Sequence, residues 1–155
     1  MTAALDLSRA SVRLQQGFAY WLDTADGGRP PPRAAIDPAD FKRLLPFVVL
    51  IEVRRDPLDF VERVTGEVVL DHSERNSMNR PWRTYPGRGP GSAIWTHFET
   101  VVRTAAPLFQ AVPYVGPKQD LVTVECVTCP LSEDGERVDR TLSFVDYIPR
   151  RDPAD

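Results

Sequence analysis

Alternating apolar residues mark strands in two groups, and the region between the two groups lacks this pattern. The first group predicts a hairpin, with strands over residues 47–55 and 60–65 around the turn Asp56-Pro57-Leu58-Asp59. The second group predicts a three-strand meander over residues 108–115, 121–131 and 137–148. A hairpin, a helical insert and a meander favour one α+β domain, in which an antiparallel sheet carries helices on one face.

The last predicted strand has a two-sided pattern. Its apolar side chains share one face: Val138, Leu142, Phe144 and Ile148. Polar side chains share the other face: Asp139, Thr141 and Ser143. This alternation predicts a half-buried antiparallel strand.

Helical periodicity marks two amphipathic helices. The leading helix is expected over residues 6–24, before Gly27 and Gly28. Its apolar face either packs on the sheet of its own chain or pairs with a second copy of the chain. The other helix is expected over residues 93–105, after Ser92 as N-cap.

Two shorter helices are expected between these elements. One follows Asp37 as N-cap and ends before Pro46, and the other covers residues 67–73. The chain then divides into four parts: an N-terminal helix over residues 1–28, a linker with a short helix over 29–46, a core over 47–148 and a tail over 149–155.

Charge and length narrow the class of protein. The 155 residues fit one domain, and a net charge of -3 argues against nucleic acid as the main partner. The N-terminus lacks the apolar segment of a signal peptide, and the longest strongly apolar run, residues 47–51, is too short to span a membrane. We therefore expect a cytoplasmic protein.

Cys126 and Cys129 have the spacing of a redox pair or of half a zinc site. Both lie in a predicted strand, where residues three apart face opposite sides and are too distant for a disulfide. We therefore expect two small side chains that are buried or half-buried.

Four short motifs, in order along the chain, resemble a divergent bacterial PAS family that is common in alphaproteobacteria. Tyr20-Trp21 lies near the end of the leading helix. The other motifs are Gly28-Arg29 with Pro32-Arg33-Ala34-Ala35-Ile36-Asp37-Pro38, Leu44-Leu45-Pro46 before the first strand, and Glu125 with Pro130-Leu131-Ser132-Glu133-Asp134-Gly135. The resemblance covers residues 17–148, and the chain departs from the family pattern over residues 66–80.

The resemblance implies a strand order of 2-1-5-4-3, with the final strand central. It also implies a pocket between the inner sheet face and the helix over residues 93–105. The pocket candidates are Trp95, His97, Phe98, Tyr114, Leu142 and Phe144.

The expected function is that of a sensory or docking module that binds a small molecule or a signalling protein. We find no catalytic motif and expect a protein that is not an enzyme. With no kinase, cyclase or DNA-binding region beside the domain, we expect output through a partner or through a homodimer. The candidates for the dimer interface are Leu14, Phe18, Trp21 and Leu22 of the leading helix.

Other chemistries remain open at the level of the sequence. His97 is a candidate haem ligand, and with Glu125 it is a candidate acid–base pair of a small α+β enzyme. A flavin adduct is disfavoured, because the segment Glu74-Arg75-Asn76-Ser77 lacks the cysteine that such photosensors use.

The loop over residues 80–91 interleaves arginines with aromatic residues. Arg80, Arg83 and Arg88, beside Trp82 and Tyr85, either bind an anion or a nucleotide, or belong to a solvated loop whose aromatic residues cover the sheet.

Overall fold

A computed structural model describes residues 5–73, 77–114 and 118–149. Its strands form a five-stranded antiparallel sheet in the order β2-β1-β5-β4-β3, so the expected order with a central final strand is confirmed. The strands are β1 (Val48–Arg54), β2 (Asp59–Thr65), β3 (Leu108–Pro113), β4 (Leu121–Leu131) and β5 (Arg140–Pro149).

The α-helices are α1 (Val12–Thr24), α2 (Glu67–Asp71) and α3 (Ala93–Thr104). Short 3-10 helices cover Arg33–Ala35, Pro38–Phe47 and Trp82–Thr84. None of the helices in the described ranges is long and apolar enough to cross a bilayer.

The leading helix begins later than the periodicity predicts. The Ser11 side chain accepts a hydrogen bond from the Leu14 backbone N–H (3.3 Å), so it caps α1 and fixes its first residue as Val12. Leu7 and Ala10 extend the apolar pattern because they are buried in the same hydrophobic cluster, although they precede the helix.

The segment after Asp37 starts as predicted, since the Asp37 carboxylate accepts from the Ala39 N–H (3.0 Å). It is a 3-10 helix, and the prediction that it ends before Pro46 is wrong. The backbone kinks at Phe41, so Pro46 lies in a second short turn, where a proline removes only one hydrogen bond.

Two hydrophobic clusters cover the two faces of the sheet. On one face, α1 and the Pro38–Phe47 segment pack against Leu142 and Phe144 of β5. On the other face, α3 and Trp82 pack against residues that include Val145. The prediction of a half-buried final strand is therefore wrong: Thr141 and Ser143 are buried as well, because helices cover both faces.

Strand β5 also starts later than expected. It begins at Arg140, and Val138, which was expected to share a face with Leu142, instead belongs to the cluster on the α3 side. Strand β3 ends at Pro113, and the expected end at Val115 lies outside the described residues.

The two cysteines are free, as expected. Cys126 packs on the α3 side of the sheet, whereas Cys129 is buried on the α1 side. The prediction of separate buried or half-buried side chains is confirmed.

Candidate functional site

A cavity of about 760 Å³ lies between the sheet and the layer formed by α2, α3 and the 82–92 loop. Its position is the one that the resemblance implies. The volume falls in the range of small-molecule sites, roughly 300–1,000 Å³. The cavity is therefore the candidate functional site.

The sheet supplies a largely apolar floor. Strand β1 contributes Val49 and Ile51, and the central strand β5 contributes Val145 and Tyr147. Cys126 of β4 lies opposite Val145 in the strand register and continues this floor. Because side chains alternate across a strand, every second residue of β1 and of β5 reaches the cavity.

Helix α3 closes one side of the cavity. Ser92 caps it by accepting from the Trp95 backbone N–H (3.2 Å), as expected. The buried face of α3 then brings Phe98 and His97 to the cavity. Trp95 is buried beside the cavity, where its ring packs edge-on against Phe60.

His97 lies at one end of a buried chain of hydrogen bonds between uncharged groups. Its Nε2 lies 2.8 Å from the Thr128 hydroxyl, which in turn lies 2.8 Å from the Ser143 hydroxyl and 3.3 Å from the Cys126 sulfur. Burial lowers the pKa of His97 from 6.5 to about 4. The imidazole is therefore neutral at pH 7.

Haem ligation does not fit this arrangement of His97. Its Nε2 already holds Thr128, and its Nδ1 is buried and has no hydrogen-bond partner among the described residues. To bind iron, His97 would have to break its bond to Thr128 or turn its ring out of the core. As a separate point, the described ranges contain no group of three or more His, Cys, Asp or Glu side chains that could hold a metal ion without a porphyrin.

The acid–base pair of His97 and Glu125 does not form. Glu125 lies on the α1 side of β4, where its carboxylate accepts from the Ser11 N–H (3.0 Å). His97 lies on the opposite side of the sheet. The two residues are separated because neighbouring positions along β4, such as Glu125 and Cys126, face opposite sides.

One ion pair forms part of the cavity wall. The Arg88 guanidinium contacts the Glu62 carboxylate closely, and Glu62 is only 4% exposed. Ser77 donates a hydrogen bond to the same carboxylate (2.8 Å), and Thr65 donates another (2.9 Å). The guanidinium also lies over the ring of Trp82 (5.6 Å to the centroid).

The other two arginines of this loop have partners elsewhere. Arg80 lies over the ring of Tyr85, and Arg83 donates to the carbonyl of Leu58 (2.7 Å) and lies over Trp95. Trp82 is buried in the hydrophobic cluster on the α3 side of the sheet. This ring therefore covers the sheet, as one of the two interpretations expected, and Tyr85 lines the cavity.

Three rings close the cavity at the end of α2. His72 stacks on Tyr147 with centroids 4.0 Å apart, and Tyr114 meets Tyr147 edge-on. The Tyr114 hydroxyl donates to the His72 carbonyl (3.1 Å), and Lys118 pairs with Asp71 (3.4 Å). These contacts tie the end of α2 to β5 and to residues between β3 and β4.

A family model described as a PAS domain matches residues 9–145. The chain belongs to the PAS domain family. Among solved structures, a sensory box sensor histidine kinase from Vibrio cholerae is 15% identical with a TM-score of 0.47, and the match covers 94% of this chain and 100% of that chain. A fungal LOV domain photoreceptor is 16% identical with a TM-score of 0.45 and the same coverage. No curated protein matches the chain.

The PAS domain places the six predicted pocket residues in three different positions. His97, Phe98 and Tyr114 line the cavity, and Trp95 is buried beside it. Leu142 and Phe144 do not line it, because they face α1 on the opposite side of β5. Residues 74–76, compared above with a flavin motif, lie outside the described residues.

The residues predicted for the dimer interface differ in how much of each side chain is accessible. Leu14 and Trp21 are fully buried against the sheet of their own chain, and the Trp21 Nε1–H donates to the Pro130 carbonyl (2.9 Å). Phe18 is half-buried, and Leu22 is 46% exposed. The apolar face of α1 is therefore used mainly inside this PAS domain.

Sequence reasoning missed Glu62, Ser77 and His72 as parts of the site. Glu62 is a charged residue in the second strand of the hairpin, and nothing in its neighbourhood predicts burial. His72 lies at the end of the predicted short helix, but its stacking partner Tyr147 is distant in the chain. The usable signal was the long loop that carries Arg88, since long loops in compact domains often have a function.

Proposed function

We propose that this PAS domain is a cytoplasmic sensory module that binds a small molecule in the cavity and passes its occupancy on to a partner protein. The observation that carries the proposal is the cavity itself. It combines ligand-sized volume, an apolar floor and a few polar groups such as His97 and Gln110. Sites for small molecules have this composition.

The central strand β5 offers a direct path from the cavity to the surface helix. Its Ser143 and Val145 face the cavity, while Phe144 between them packs against the α1 side. Gly17 of α1 lies so close to this ring that a Cβ there would be 2.3 Å from the Phe144 Cγ. A shift of β5 on ligand binding therefore moves α1 as well, because close-packed groups transmit displacement.

The partner surface is proposed on the outer side of α1. Leu22 is exposed there, and part of Phe18 is accessible. A homodimer through α1 would use these two residues, since Leu14 and Trp21 are buried. Light scattering at micromolar concentration tests this point: a dimer mass that Leu22→Asp converts to a monomer mass supports it, and a monomeric wild type contradicts it.

Ligand binding is tested with two matched variants of β3. Val112 is half-buried and lines the cavity, whereas Ala111 is exposed on the other face of the same strand. Val112→Trp fills part of the cavity, and Ala111→Trp adds the same side chain outside it.

The readout is the melting temperature of each variant with a panel of small molecules. Compounds that bind the folded state raise this temperature. We expect compounds that stabilise the wild type and Ala111→Trp but not Val112→Trp. A panel in which every stabilising compound acts equally on all three proteins contradicts binding in the cavity.

A further inference from the structure

The full charges in the cavity wall neutralise each other. Apart from the histidines, Glu62 and Arg88 are the acidic and basic residues among the described residues that line the cavity, and they form an ion pair. Burial keeps His97 neutral at pH 7, and it raises the pKa of Cys126 and of Tyr147. The Nδ1–H of His72 donates to the Val68 carbonyl (2.7 Å).

Both oxygens of the Glu62 carboxylate hold donors from the protein. Arg88 and Ser77 donate to Oε1, and Thr65 donates to Oε2. A cationic ligand would have to compete with these donors. Such a ligand would also lose its hydration shell on entering the cavity, and buried charges without a free partner are costly.

The charge of the Arg88 guanidinium is paired in the same contact. It pairs with Glu62 and lies over the rings of Trp82 and Tyr85. An anionic ligand would have to compete with a carboxylate that is already desolvated and in contact. Removing one partner of a buried pair leaves an uncompensated charge, which is strongly unfavourable.

We propose that the cavity selects uncharged, largely apolar molecules, and that Glu62 sets this selectivity by neutralising Arg88. This inference rests on the proposed function, since it names the class of ligand for the same cavity. Apolar side chains supply the contact surface, and neutral groups such as Gln110 supply hydrogen bonds. Without the Glu62 charge, Arg88 would make the cavity a site for anions.

Two fluorescent probes with the same ring skeleton test the proposal. N-phenyl-1-naphthylamine is uncharged, and 8-anilino-1-naphthalenesulfonate carries an added sulfonate. Titration of the full chain with each probe gives two dissociation constants. For the wild type we expect the uncharged probe to bind at least about tenfold more tightly, a difference of about 1.4 kcal/mol.

The variant Glu62→Gln removes the neutralising charge. We expect it to tighten binding of the sulfonate probe about tenfold and to leave binding of the uncharged probe within about twofold. The matched control is Asp146→Asn, which frees Arg13 from its ion pair on the opposite face of the sheet. This control should change neither dissociation constant.

A second pair of variants applies if Glu62→Gln does not fold. Val112→Lys places an unpaired cation at the half-buried edge of the cavity, and Ala111→Lys places one on the exposed side of the same strand. We expect only Val112→Lys to gain affinity for the sulfonate probe.

The outcomes separate the two proposals. Equal binding of both probes to the wild type, or no gain of sulfonate binding in Glu62→Gln and Val112→Lys, overturns the selectivity but leaves ligand binding in place. If neither probe binds the wild type, the inference fails, and the melting temperatures of Val112→Trp and Ala111→Trp with the compound panel decide the proposed function.

Discussion

The buried His97 makes the stability of the domain depend on pH in a defined window. Its pKa falls from 6.5 to about 4 on folding, because burial disfavours the charged imidazole. As pH falls, the unfolded chain takes up this proton first. The contribution of His97 to stability is therefore complete above about pH 6.5 and is lost progressively as pH falls towards 4.

The size of the effect follows from the two pKa values. At about pH 5 the protonated imidazole outnumbers the neutral form about thirtyfold in the unfolded chain but is the minor form in the folded one, so protonation of His97 alone costs about 2 kcal/mol relative to neutral pH. His97 is only 4% exposed, which makes solvent screening of this cost small.

Urea unfolding of the wild type and of His97→Gln at about pH 7.5 and pH 5 measures this cost. The glutamine cannot titrate, so the difference between the two proteins isolates His97 from every other acid-sensitive group. We expect the wild type to lose about 2 kcal/mol more than the variant between these pH values. Parallel loss in both proteins, or an NMR titration of His97 with a pKa near 6.5, would refute the burial argument.

The packing of α1 gives three further predictions for urea unfolding. Gly17→Ala should destabilise by about 1–3 kcal/mol, because its Cβ would overlap the Phe144 ring, despite a gain of up to about 1 kcal/mol in helix propensity; a stabilised variant would refute the close approach. Trp21→Phe should cost about 1–3 kcal/mol through the lost bond to Pro130, and an unchanged midpoint would contradict it. Ser11→Ala should cost about 1 kcal/mol, whereas Ser8→Ala, outside the helix, should cost less.

The strands of the sheet could be predicted from the sequence because they show the usual alternation of apolar residues and are bounded by turn residues. Alternating apolar residues and a turn at Asp56-Pro57-Leu58-Asp59 mark the hairpin, and the capped helix after Ser92 was placed almost to the residue. Strand order depended on the resemblance, since periodicity shows which residues share a face but not which strands pair.

The floor of the cavity was harder to predict for a physical reason. A strand with apolar residues on one face and polar residues on the other is usually exposed on its polar face. In β5 both faces are buried, so Leu142 and Phe144 serve one cluster and Ser143 and Val145 serve the cavity. The apolar face therefore indicated the wrong side of the sheet for the pocket.

The ion pair of Glu62 and Arg88 could not be read from the sequence either. The two residues are 26 positions apart, one in a strand and one in an irregular loop. Their meeting depends on how the loop folds back over Trp82. Such contacts are set by tertiary packing, and neither residue type nor spacing indicates them.

The central claim is that the cavity of this PAS domain holds a small molecule, and native mass spectrometry of freshly purified protein tests it most directly. The wild type and Ala111→Trp should each retain an extra mass that dissociates as a neutral molecule, and Val112→Trp should lack it. A spectrum with only the mass of the bare chain in all three proteins (17.4 kDa for the wild type), or the same adduct in all three, would contradict the account.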